Sequence, residues 1–154
     1  MKDFFLELFA YNQHCNNLFL KAFERNPATL SESAEKLMSH VLNAHHIWNH
    51  RILGKPSSFG VWEVHPVKNL RSLSELNQQM SLELLEQVDL NACIHYSNTH
   101  GKQFQNQVRD ILSHLINHSN YHRGQIAREL KQHGLEAPVS DFIIYQREKT
   151  ENLD

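Results

Sequence analysis

The sequence predicts an all-α fold, a four-helix bundle with a small irregular or hairpin excursion before its last long helix. Three observations predict it. Four segments repeat apolar residues at helical spacing, turn and cap residues separate them, and one stretch before the last segment breaks the pattern. At 154 residues and 40% hydrophobic content, the chain is long enough to form one domain (1–154) with a substantial core. Amphipathic helices in one domain bury their apolar stripes most simply against one another.

The first segment carries Phe5, Leu8, Cys15, Phe19, Ala22 and Phe23 on one stripe. "NPATLSES" then supplies a turn, and Thr29 with Glu32 three residues later forms a capping box for the second helix. That helix presents Leu30, Ala34, Leu37, Val41, Trp48 and Ile52, and "LGKPSSFG" ends it. Ser72 and Glu75 repeat the capping pattern ahead of Leu73, Leu76, Met80, Leu84 and Val88. "NACIHYSNTHGKQFQ" reads as a short hairpin turning near Gly101. The fourth helix is expected from about Phe104 to His133, with Gly134 as a left-handed cap. "DFIIYQRE" follows as a tail whose apolar residues pack back onto the bundle. The connection between the second and third helices is the longer one, so the pattern does not impose strict up-down-up-down order.

Composition narrows the function. A net charge of −2, a pI near 6.6 and the lack of a basic stripe argue against nucleic acid and anionic membranes as partners. Asp3 and Glu7 interrupt the apolar N-terminus, so neither a signal peptide nor a membrane span is expected. Cys15 and Cys93 lack metal-knuckle spacing and suggest a reducing compartment, which makes a cytoplasmic protein the expectation. Phosphate-binding glycine loops and a G-x-S-x-G elbow are absent from the sequence. Ser119 follows His118 where a zinc protease needs glutamate, and the inward stripes offer no E-x-x-H pairs for a di-iron site.

The unusual feature is twelve histidines. His118 and His122 are four apart, so on a helix they lie only about 40° apart and can share one ion. On the helical wheel His122 lies nearest the apolar stripe, His118 at its edge and His114 farther out. The second helix offers His40 and His45 at the two edges of its stripe, whereas His46 and His50 point away from it. His46, His50 and His114 are therefore expected in solvent. His14, His65, His95, His100 and His133 are expected at the surface or in ordinary hydrogen bonds. Periodicity leaves His40 and His45 both open, and it leaves metal binding and buried hydrogen-bonded histidines on an equal footing.

"LMSHVLNAHHIWNHRILG" (Leu37–Gly54) and "HLINHSNYHRGQIARELKQHG" (His114–Gly134) resemble the DinB-like, or YfiT-like, family, which is distinct from the DNA polymerase of similar name. "PVSDFIIYQRE" (Pro138–Glu148) resembles that family's C-terminal tail. The resemblance implies a four-helix bundle with a divalent-metal site of three histidines, here His40, His118 and His122. It also implies a homodimer. Three imidazoles suit zinc, nickel or iron and leave coordination positions open. By analogy with the wider family, the expected chemistry is metal-dependent and uses a low-molecular-weight thiol, as in an S-transferase, or is hydrolase-like, with a small-molecule substrate. The alternative is a non-catalytic, stress-associated bundle with a structural or vestigial metal site. Arg123 and Gln125 are expected either to orient the site or a neighbouring subunit, or to lie at the surface. Gly124 is expected to permit close helix approach.

Overall fold

The computed structural model describes residues 1–98 and 100–151; the last three residues of the expected domain lie outside this range. Helices α1 (Lys2–Arg25), α2 (Glu32–Ile52) and α3 (Val67–Gln87) come first. Strands β1 (Cys93–Ser97) and β2 (Gln103–Gln107), α4 (Val108–Gln132) and α5 (Phe142–Glu151) follow. The all-α bundle and its hairpin are as the sequence predicts.

The order of packing around the bundle departs from a simple meander. α1 packs against α3 and α4, and α2 against those same two helices, so α1 and α2 lie on one diagonal and α3 and α4 on the other. Side-chain pairs give the directions. Asn16 meets Ser74, and Arg71 meets Glu24, so α1 and α3 are antiparallel. Leu42 meets Asn77 and His45 meets Ser81, so α2 and α3 run parallel. A connection between parallel neighbours has to run back along the bundle, and residues 53–66 do so along the outside of α2. The Lys55 amide bonds the His50 carbonyl, Phe59 packs on His46, Val61 reaches His40, and the His65 amide bonds Ser39.

Several element boundaries differ from expectation for local reasons. Ser31, not Thr29, caps α2: its hydroxyl accepts from the Ala34 amide, while Thr29 is held in a turn by Asn26. α3 begins at Val67 behind Pro66, five residues before Ser72, whose hydroxyl instead bonds the Asn69 carbonyl within the helix. Leu76, placed on the apolar stripe by the sequence pattern, is exposed. Residues 104–107 pair with β1 rather than opening α4. Gly134 has φ +74°, the expected left-handed cap. The tail forms α5, where Phe142 and Tyr145 rest on Tyr11 but no residue is fully buried. Gly124 faces open space, so no close helix contact depends on it.

Two apolar clusters fill the bundle. One end holds Phe5, Phe9, Ile52, Leu84 and Leu112; the other holds Phe19, Phe23, Met38, Leu70 and Ile126. A belt of buried polar groups lies between them. His45 bonds Ser81 at 2.7 Å, and Asn49 bonds Ser81 and Asn77. Arg123, expected to orient the site or lie at the surface, is 0% exposed and donates to Asn12, Asn16 and Asn120. Among the described residues, no helix is long and apolar enough to cross a membrane.

Candidate metal centre

α2 and α4 pack side by side and antiparallel, which sets His40 opposite His118 and His122. One ring nitrogen from each of the three lies within 4.8 Å of the others, forming a group that could hold a metal ion. The His40 and His118 Nε2 atoms are 3.1 Å apart. Two nitrogens bound to one tetrahedral ion, at about 2.1 Å each, stand about 3.4 Å apart, so this spacing needs little adjustment.

The protein determines which nitrogen of two rings is available. His40 Nδ1–H donates to the Val61 carbonyl at 3.0 Å, leaving Nε2 with its lone pair. His122 Nδ1–H donates to Gln125 Oε1 at 2.8 Å, leaving its Nε2 bare. His118 Nδ1 is buried without a partner among the described residues. A single proton could join only two of these rings, whereas a cation can serve all three. The donor set therefore fits a divalent ion.

Electrostatics favour the neutral rings that coordination requires. Burial lowers the His40 pKa, His122 lowers it further, and the Val61 carbonyl opposes both. Burial, then the neighbouring His122, His40 and His114, push His118 down to about 3. Both rings are thus unprotonated at neutral pH before any ion arrives.

The mouth of the site is aromatic. Trp62, carried in by the returning connection, stacks on His40 with centroids 3.7 Å apart and planes 8° from parallel. It remains 52% exposed, and Tyr121, edge-on to His122, is 66% exposed. Neither Val61 nor Trp62 announces a role in the sequence, because their position depends on the path of the connection. A long link between helices was the available signal.

The remaining histidines sort less simply than the wheel suggests. His45 is buried away from the triad on Ser81 and Phe9, and burial lowers its pKa to about 3. His46, expected in solvent, is only 4% exposed, because Phe59 and His50 cover it. Its outward face became an interior one when residues 53–66 folded over it. His50 is half-buried, and His114 is exposed as expected. His65 bonds Asn43 at 2.6 Å and helps pin the connection that carries Val61. Gln125 orients a candidate ligand, one of the two roles considered for it.

Fold and site together define a helical bundle with a three-histidine group, set across two antiparallel helices, that could hold a metal ion. The chain matches the DinB family over residues 1–153 and belongs to that family. It is similar to "Protein DinB" of Bacillus subtilis (strain 168), with 24% identity over 163 residues, covering 94% of this chain and 95% of that protein.

Proposed function

We propose that His40, His118 and His122 hold a divalent ion, zinc, nickel or iron, and that the protein uses it for chemistry on a low-molecular-weight thiol in the manner of an S-transferase. The observation that carries this reading is the orientation of the ligands: Val61 and Gln125 take the Nδ1 protons of two rings and leave Nε2 for an ion. A divalent ion in this donor set would act as a Lewis acid and lower the pKa of a bound thiol or water. The chain's own residues keep His40 and His118 neutral, hold the tautomers of His40 and His122, and frame the opening with Trp62 and Tyr121. Elemental analysis of untagged protein, with a thiol-consumption screen on the same preparation, tests the proposal. One equivalent of metal with metal-dependent thiol loss supports it. Metal without thiol consumption would favour the non-catalytic bundle.

The depressed pKa values make a further test. In water histidine titrates near about 6.5, but His40 and His118 are held below that value. At those two ligands protons therefore compete with the ion only at lower pH, and affinity should fall less steeply between pH 7 and about 6 than at a site of three ordinary histidines. Chelator competition across this range, with circular dichroism to follow the fold, measures the profile. A steep fall centred near pH 6.5 would indicate exposed histidines as the ligands.

We also propose that the protein is a homodimer with a small-molecule substrate. Phe4 and Ile143 leave apolar surface on α1 and α5 that suits a second copy. Sedimentation at several concentrations should show the dimer; a concentration-independent monomer would rule it out.

A further inference from the structure

Beside the candidate metal centre lies a cavity of about 260 Å³ lined by Trp48, Tyr96, Asn106, Asp110, Ile111 and His114. It is one histidine away: the His114 ring is 5.4 Å from that of His118 and 5.5 Å from Trp48. α4 supplies the floor, with Asp110, Ile111, His114 and His118 following one another along one side of the helix. α2 supplies Trp48, and the hairpin supplies Tyr96 and Asn106. The hairpin buries none of its residues fully, so its contribution to the core does not account for it.

The walls are held in place. Trp48 and Tyr96 meet edge-on at 4.9 Å, and the Arg51 guanidinium lies 4.5 Å and 4.9 Å from their ring centres. Arg51 is itself held by the Ser97 carbonyl, and the Tyr96 hydroxyl donates to Asn106 Oδ1 at 2.7 Å. An apolar cavity of roughly 150 Å³ holds a benzene molecule, so this larger space admits one substituted ring. Its polar lining offers two side-chain acceptors, Asp110 and Asn106 Oδ1. Asp110 accepts only, through a carboxylate engaged by Arg109 at 3.9 Å, and Asn106 Oδ1 retains a lone pair. The shape selects a flat apolar body, and the acceptors select a donor on it.

We propose that this cavity binds a single-ring aromatic molecule bearing an amino or hydroxyl donor, with the ring between Trp48, Tyr96 and Ile111 and the donor toward Asp110 and Asn106. Its identification as the substrate subsite rests on the proposed metal-dependent function; the binding itself does not. Such a molecule would extend from this pocket past His114 toward the three histidines.

The test uses benzylamine, phenol and benzoate, titrated into metal-free and zinc-loaded full-length protein and followed by tryptophan fluorescence and calorimetry. Benzylamine and phenol should bind in both forms. Benzoate should bind about tenfold more weakly than benzylamine, as expected when a charged hydrogen bond is replaced by repulsion. Asp110→Asn should remove most of that difference, and Tyr96→Ala should weaken all three while leaving the helical circular dichroism unchanged. Equal binding of benzylamine and benzoate to the unmodified protein would overturn the proposal, as would unchanged binding in Tyr96→Ala. Benzylamine binding that requires zinc and vanishes in His118→Ala would place the amine on the ion and would also overturn it. Failure of the protein to hold zinc would defeat the metal reading alone, since the metal-free titration stands independently.

Discussion

Replacing His40, His118 or His122 with alanine is expected to reduce zinc affinity by more than about 100-fold, because loss of a supporting hydrogen bond alone costs 10- to 100-fold in characterised sites. Each substitution leaves two imidazoles and removes one of the three convergent nitrogens. Gln125→Ala should fall in the range of about 10- to 100-fold, since it removes only the acceptor that fixes the His122 tautomer. His50→Ala and His114→Ala should retain one equivalent. His46→Ala should retain it as well, but with lower stability, because His46 fills space beneath Phe59. Chelator competition and elemental analysis on untagged proteins separate these groups. Equal losses in the two groups would mean scattered binding at surface histidines.

Arg123→Met is expected to destabilise the fold by roughly 3–5 kcal/mol, with a clear drop in the urea midpoint. The side chain is fully buried, and its guanidinium satisfies three asparagine oxygens on α1 and α4. Methionine can fill much of the volume but leaves the buried Asn12 and Asn16 oxygens without the Arg123 donor, at about 1–3 kcal/mol for each unsatisfied group, while Asn120 keeps the Tyr11 hydroxyl. Arg123→Lys should recover part of the loss, since a single ammonium cannot reproduce the planar fork. The measurement is equilibrium urea unfolding at constant m-value. A loss below about 1 kcal/mol would show that the polar belt is not held together by this residue.

Both experiments probe features that differ in how far the sequence revealed them. His118 and His122 were legible because their relation is local: four residues along one helix suffice to put two rings on one side. His40 and His45 were not separable by periodicity, since both edge the same stripe. The choice came from resemblance, and the structure places His40 in the triad and His45 on Ser81. The burial of Arg123 was not legible either. Its asparagine partners lie 107 and 111 residues away on α1 and three away on α4, and nothing local marks Asn12 or Asn16 as interior.

By itself, the sequence determined the four long helical segments, the hairpin and the left-handed cap at Gly134, though not the helical form of the tail, because apolar spacing and turn chemistry act over a few residues. Only the tertiary structure decided the parallel course of α2 and α3, and with it the path of residues 53–66. That path buries His46, delivers the Val61 carbonyl to His40 and lays Trp62 across the opening. The physical reason is that a helical wheel divides a surface into core and solvent using one helix alone. It has no knowledge of a connection that must cross the outer face to reach a parallel neighbour.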